Sequence, residues 1–183
     1  TPTLERVYEA RGAAALLMAC RAPEVLVDGP LGTGKSRACL EKLHLMARKT
    51  PKFKGLIVRK TLVSLTASAI VIYKEQVIAD ELEAGTITVF GGSNTEPPGW
   101  RYSNGSLISM VGLDKPEKVQ SAEFDAAYVV EATELTQHDW VTVSGRLRNG
   151  RHPYQQLLAD CNPSHAKHWL KQRCDAGTTV RFS

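Results

Sequence analysis

The chain has 183 residues, 43% of them hydrophobic, which is ordinary for a globular protein and enough for one domain with a sizeable core. No apolar run approaches the roughly 18 residues of a membrane span, residues 1–6 lack the basic-then-apolar pattern of a signal peptide, and the four cysteines (Cys20, Cys39, Cys161, Cys174) form no C-x-x-C pair, which argues against zinc and for reduced thiols in a cytosolic protein. The formal net charge of +4 permits a nucleic-acid partner without demanding one.

In chain order, residues 4–20 carry apolar positions at helical spacing, interrupted at Arg11-Gly12. The run Glu24–Asp28 reads as a short buried strand, and residues 37–48 as a helix. Between them, Gly29-Pro30-Leu31-Gly32-Thr33-Gly34-Lys35-Ser36 meets G-x-x-x-x-G-K-[ST] at every fixed position. Strand, glycine loop and helix together make a phosphate cradle. The glycines let the backbone turn its N–H groups inward at an anion, and the helix adds the positive end of its dipole. Lys35 is expected to reach the β- and γ-phosphates, and the Ser36 hydroxyl to sit on Mg²⁺. No Asn-Lys-x-Asp run is present to read guanine, so ATP is the expected nucleotide.

Residues 55–60 predict a second buried strand with a basic end, and residues 61–82 one long helix. Residues 86–90 predict a third strand. Residues 100–110 predict a hairpin with Asn104-Gly105 as a type I′ turn, inserted on the core. Trp100 and Tyr102 are assigned to cross-strand packing, with stacking on a ligand as the alternative. Residues 124–130 read as a buried strand ending in Glu131, residues 135–148 as a helix with Thr136 as its cap, and residues 153–161 as a strand stopped by Asn162-Pro163. A helix through Cys174 and a strand at 178–182 follow. The expected fold is one α/β P-loop domain over 1–183, with a mainly parallel central sheet flanked by helices. A start at Thr1 without methionine, and a stop inside an apparent strand, predict that the chain belongs to a longer protein.

Hydrolysis needs a group that takes a proton from water near the γ-phosphate. Glu131, at the carboxyl end of its strand, is the first candidate and a metal-side group beside Ser36; Glu134 is the second. Many such strands end in two acids, the first helping to hold Mg²⁺, but here that position is Val130. Asn162 is placed either to feel the γ-phosphate or to cap the next helix. Arg146 and Arg148, at a helix end, are candidates for a cation supplied to a neighbouring subunit, against simple placement at a helix C-terminus. Lys52, Lys54, Arg59 and Lys60 are expected to meet DNA phosphates rather than bases.

The ordered set Gly29–Ser36, Ile57-Val58-Arg59-Lys60-Thr61, Asn104-Gly105-Ser106, Gly112-Leu113-Asp114-Lys115-Pro116, Glu131-Ala132-Thr133-Glu134-Leu135, Arg146-Leu147-Arg148, Cys161-Asn162-Pro163 and His168-Trp169-Leu170 resembles the large terminase subunit of tailed bacteriophages. The resemblance implies a RecA-like ATPase of the additional-strand (ASCE) type that uses ATP and Mg²⁺ to move double-stranded DNA into a procapsid. It implies a homo-oligomeric ring, a portal protein and a small terminase subunit as partners, and action in the host cell cytoplasm. It matches Glu131 to the catalytic glutamate and Asn162 to the coupling motif, and it points to Lys118 as another trans-acting cation. Large subunits of this family usually carry a C-terminal nuclease, whose acid cluster these 183 residues do not supply. Two other readings stay open: a helicase- or recombinase-like ATPase on single strands, which needs exposed stacking aromatics, and a nucleotide-responsive assembly subunit with little turnover, for which Val130 speaks.

Overall fold

Strands buried on both faces of a parallel sheet are written as continuous apolar runs rather than alternating ones. That is the pattern of Glu24–Asp28 (β1), Ala126–Val129 (β6) and Gln156–Cys161 (β7), in each of which every residue is buried. The computed structural model describes residues 7–163 and 167–183. Its remaining elements are α1 (Ala13–Ala19), α2 (Lys35–Lys49), β2 (Lys54–Arg59), α3 (Leu62–Thr66), α4 (Ala69–Ile72), α5 (Ala79–Glu83), β3 (Ile87–Phe90), β4 (Gly99–Tyr102), β5 (Leu107–Gly112), α6 (Glu117–Gln120), α7 (Gln137–Ser144), α8 (Trp169–Asp175) and β8 (Val180–Phe182).

The strands form one eight-stranded sheet in the order β3-β4-β5-β2-β6-β7-β1-β8. All pairings are parallel except β3–β4 and β4–β5. Alternate strand residues face two apolar layers. One gathers Leu17, Cys39, Leu43, Phe53, Tyr73, Tyr128 and Val130 with α1 and α2. The other gathers Leu26, Val129, Ala159, Trp140, Val143 and Leu170 with α7 and α8. The P-loop strand β1 is thus separated from β6 by one further strand, β7.

Several expectations are corrected. Of the helix expected over residues 4–20, residues 4–6 lie outside the described residues, residues 7–11 are not helical, and α1 starts only after Gly12. The long helix over 61–82 is broken. Ser68 leaves helical geometry at φ −129°, ψ −91°, where its hydroxyl accepts from Arg59 Nη1 at 2.9 Å and donates to Ser64 O at 2.7 Å. The turn Tyr73–Val77 then widens to a π-helix, with Tyr73 hydrogen-bonded to the Tyr102 hydroxyl and its ring 4.9 Å from that of Trp100. Tertiary contacts that periodicity does not report decide both breaks.

The hairpin is no separate insertion, because its second strand β5 pairs in parallel with β2 from Lys54↔Leu107 to Arg59↔Gly112. Nor is its turn type I′. Gly105 has φ +84°, but Asn104 is not among the non-glycine residues of positive φ in the described chain, and the closing bond runs from Gly105 N to Tyr102 O at 3.0 Å. The turn is therefore centred one residue earlier, on Ser103-Asn104. Asn104 is drawn there by its side chain, which donates to Ala47 O and Arg48 O at the end of α2. The assigned cap of α7 is present: Thr136 Oγ1 accepts from Asp139 N, and Asp139 accepts in return from Thr136 N.

At the amino edge of the sheet, Asp125 is fully buried and accepts four hydrogen bonds. They come from Lys54 N at 3.0 Å, Asn149 Nδ2 at 2.8 Å, Arg151 N at 2.7 Å and His152 N at 3.0 Å. Phe124 N donates to Arg146 O, and Asn149 N to Phe124 O. The segment after α7 is thereby tied to the start of β6.

Candidate active site

Open parallel sheets collect ligands at the carboxyl ends of their strands. At that edge, β1 delivers the glycine loop. Gly32 and Gly34 sit at φ +79° and +78° with open space around the missing Cβ, so it is backbone conformation rather than crowding that requires glycine there. Gly34 is the N-cap of α2, and Lys35 and Ser36 are its first two residues. Lys35 Nζ donates to Gly29 O at 2.8 Å and Pro30 O at 2.6 Å, so the ammonium lies across the mouth of its own loop. Thr33 Oγ1 donates to Pro30 O at 3.0 Å and stiffens the same turn. Leu31 is exposed at the loop's tip.

Beside the loop stand the ends of β6 and β7. Ser36 Oγ donates to Asp160 Oδ2 at 2.5 Å, and Glu131 N donates to Asp160 Oδ1 at 2.9 Å. One buried carboxylate thus latches the loop's serine to the candidate base. Tyr128, fully buried, lies beside Ser36 and Asp160, yet its hydroxyl makes no hydrogen bond of ordinary geometry. Burial pushes the Asp160 carboxyl up, against the Ser36 hydroxyl and the Glu131 N–H, which pull it down. Glu131 is half-buried and held at φ +51°, ψ +59°, a left-handed conformation that non-glycine residues avoid. Its carboxyl is also raised, first by burial and then by the Asp160 charge, with Arg59 opposing. A raised carboxyl is closer to the poise of a general base.

Glu134 is instead held in an ion pair. Arg59, at the end of β2, holds it with two bonds, Nη2–Oε1 at 2.7 Å and Nε–Oε2 at 3.0 Å. Lys60 is paired with Asp139 at 2.9 Å. The four basic residues expected to meet DNA phosphates lie at two ends of one strand: Lys52 and Lys54 before and at the start of β2, Arg59 and Lys60 at and beyond its other end.

Asn162 follows β7 directly, at the cradle edge and half-buried. It does not cap the next helix, because His168 is the N-cap of α8. Arg146 and Arg148 are elsewhere. They lie beside Phe124, before β6, whereas Glu131 lies beyond it. From Phe124 through β6 to Glu131 is seven residue steps, which at roughly 3.3 Å each put them up to about 23 Å from their own cradle. Arg148 is paired with Glu123 at 2.8 Å in the open. Lys118 is in α6, on the crossover that leaves the cradle edge after β5.

Asp160 is the site residue that the reading of the chain omits. Its signal is a lone acid inside the otherwise apolar run Leu157-Leu158-Ala159-Asp160-Cys161.

A family profile described as phage terminase large subunit matches residues 23–178. No curated protein sequence matches. Among solved structures, the chain is similar to the large terminase of a thermophilic bacteriophage, with a TM-score of 0.74, 12% identity and 96% of this chain covered. It spans 45% of that protein's chain. It is also similar to the large terminase ATPase domain of Thermus phage P74-26 (TM-score 0.65, 17% identity, 86% of this chain and 66% of that one). The N-terminal domain of the DNA packaging ATPase from bacteriophage phi29 gives a TM-score of 0.64 at 12% identity, covering 88% of this chain and 84% of that one. At these identities the structures establish a shared fold, a RecA-like P-loop α/β domain. The profile covers most of the chain, from just before β1 to just past α8, and takes in the loop, Glu131 and Asn162: the chain belongs to the phage terminase large-subunit family.

Proposed function

We propose that this chain is the ATP-hydrolysing motor domain that drives double-stranded DNA into a viral procapsid. The observation that carries the reading is the convergence of the P-loop, Glu131 and Arg59 at one sheet edge in a chain of this family. The large terminase of the thermophilic phage, which shares this fold, was also solved in complex with ATP-gamma-S, which supports ATP as the nucleotide here.

The residues divide the work as follows. The N–H groups of Gly29–Ser36 and the start of α2 receive the phosphates. Lys35 exchanges its bonds to Gly29 O and Pro30 O for phosphate oxygens. Glu131 accepts a proton from the attacking water, and Asn162, just past β7, is the proposed group that responds to the γ-phosphate. The donors near the loop are oxygens, the Ser36 hydroxyl and nearby carboxylates, which suit a hard cation. Among the described residues no group of three or more His, Cys, Asp and Glu could hold a metal, which fits an ion held chiefly by phosphate oxygens and water. Ser36 and Glu131 are the groups proposed to hold Mg²⁺, which when bound neutralises phosphate charge.

A trans-acting cation completes the site: Arg146 and Arg148 are too far from their own cradle to serve it, so they, or Lys118, serve a neighbour in the ring. Portal protein and small terminase subunit are the proposed partners, and the host cell cytoplasm the proposed location. No helix among the described residues is long and apolar enough to cross a membrane. Trp100, Tyr102 and Trp140 are buried in the core, so these three offer no stacking surface to a single strand.

The test mixes subunits. Arg146→Ala, Arg148→Ala or Lys118→Ala protein is combined with Glu131→Gln protein, and phosphate release is followed with portal-bearing procapsids and DNA. Each variant is inactive alone, and one pairing recovers partial activity where an intact base meets an intact cation. Full-rate hydrolysis by dilute monomer, indifferent to DNA and procapsid, would refute the motor reading.

A further inference from the structure

β6 and β7 run parallel with Val129 opposite Ala159. The next pair across the sheet is therefore Val130 beside Asp160, on strands about 4.8 Å apart. Residues in register on parallel strands point to the same face, and both point to the α2 layer: Val130 packs in the apolar layer that contains Cys39, Tyr128 and Leu158, and Asp160 reaches Ser36. The position expected to hold an acid is apolar, and the position beside it, in an otherwise apolar strand, holds the acid.

Asp160 is only 1% exposed, and both its oxygens are engaged, one by Ser36 Oγ and the other by Glu131 N. Both are neutral donors. A buried carboxylate is costly unless a cation compensates it. Lys35, the ammonium of the loop, hydrogen-bonds the Gly29 and Pro30 carbonyls and acts on Asp160 only through longer-range attraction. Among the described residues Asp160 forms no ion pair. The acid thus faces the hydroxyl of the loop's serine directly, on the side of the sheet that carries the phosphate loop.

We propose that Asp160 positions the Mg²⁺ of the bound nucleotide through Ser36, taking from the neighbouring strand the role that Val130 leaves empty. This rests on the ATP reading above. Because the same carboxylate holds the Glu131 backbone, cation and base are keyed to a single group.

The experiment measures affinity of the 183-residue chain for a fluorescent ADP analogue in EDTA and in Mg²⁺, with Mn²⁺ binding to the nucleotide complex followed by electron paramagnetic resonance. The wild-type chain binds nucleotide more tightly with Mg²⁺. Asp160→Asn, compared with its own affinity in EDTA, loses the Mg²⁺ increment and binds Mn²⁺ about 10- to 100-fold more weakly. The double variant Val130→Asp with Asp160→Asn returns the acid to β6 and restores the increment. Circular dichroism checks folding, and the double variant decides the matter if Asp160→Asn alone does not fold. A folded Asp160→Asn with the full increment overturns the proposal and leaves the ATP reading standing, and so does a folded double variant without any increment. A wild-type chain that binds no nucleotide in either buffer overturns the ATP reading and the proposal with it.

Discussion

Replacing Glu131 with glutamine removes one negative charge and one proton acceptor while keeping the side chain's shape, and Glu131 N still donates to Asp160. The loop, Lys35 and Ser36 are untouched, so nucleotide affinity is expected to stay within a small factor of wild type. Loss of a general base lowers turnover by about 10²-fold or more, equivalent to roughly 2.7 kcal/mol of barrier. Glu134→Gln provides the contrast. It weakens the fork from Arg59, and Glu134 is 40% exposed, so solvent screening holds the loss to about 1 kcal/mol or less. Turnover then falls less than about 10-fold, since each factor of ten needs about 1.4 kcal/mol. Arg59, with Glu131 as its next carboxylate, favours the charged base more strongly in that variant. The pH profile reports this. Glu131 must be ionised to act, so turnover drops as pH falls through its carboxyl pKa, which burial and Asp160 have raised; in Glu134→Gln the acid limb moves to lower pH. The assay is steady-state phosphate release from assembled protein at saturating ATP, with affinity measured separately. If Glu134→Gln showed the hundredfold loss and Glu131→Gln did not, the base would be assigned one turn too early.

Lys35→Ala is expected to cost about tenfold or more in nucleotide affinity, the scale of a hydrogen bond to a charged group, with little change in melting temperature because its present partners are carbonyls of an exposed loop; unchanged affinity in titration would contradict this. Asp125→Ala strands several buried donors at about 1–3 kcal/mol each, so denaturant titration should show a loss of about 3 kcal/mol or more, and a loss below about 1 kcal/mol would break the account of the clamp. Binding of double-stranded DNA is expected to weaken steeply with salt, with Lys52→Ala and Lys54→Ala each reducing the log–log slope by about one for every phosphate left unneutralised; salt-independent affinity would rule out phosphate contacts.

The parts of the fold that were legible are those whose local signals agree with their surroundings. The run Glu24–Asp28, the glycine loop and α2 follow one another with no conflict between pattern, loop chemistry and burial. Thr136 caps α7 as its sequence asks. Legibility fails where a distant contact overrides a local preference. Asn104-Gly105 is a strong hairpin signal, but Asn104 spends its amide on the end of α2 and shifts the turn. The run 61–82 has helical spacing throughout, yet Arg59 bonds Ser64 and Ser68 where the helix breaks. At the site, the loop could be read along the chain because its fixed spacing is local, and the position of Glu131 at a strand's end because that strand is a continuous apolar run. Asp160 could not, because its meaning depends on a neighbour 30 positions away in sequence and one strand away in space.

In the proposed ring, the segment clamped by Asp125 bears on how subunits recognise each other. Arg146 and Arg148 sit on a turn whose backbone is fixed at Phe124, Asn149, Arg151 and His152. Ordering a free residue's backbone costs about 1–2 kcal/mol, so a loose arm of several residues would meet a large entropic barrier each time it docked. Here the chain has been ordered during folding. A neighbour meets a surface of settled shape, and only the arginine side chains remain to be immobilised. Docking in the proposed ring then carries a smaller ordering cost, which favours fast association.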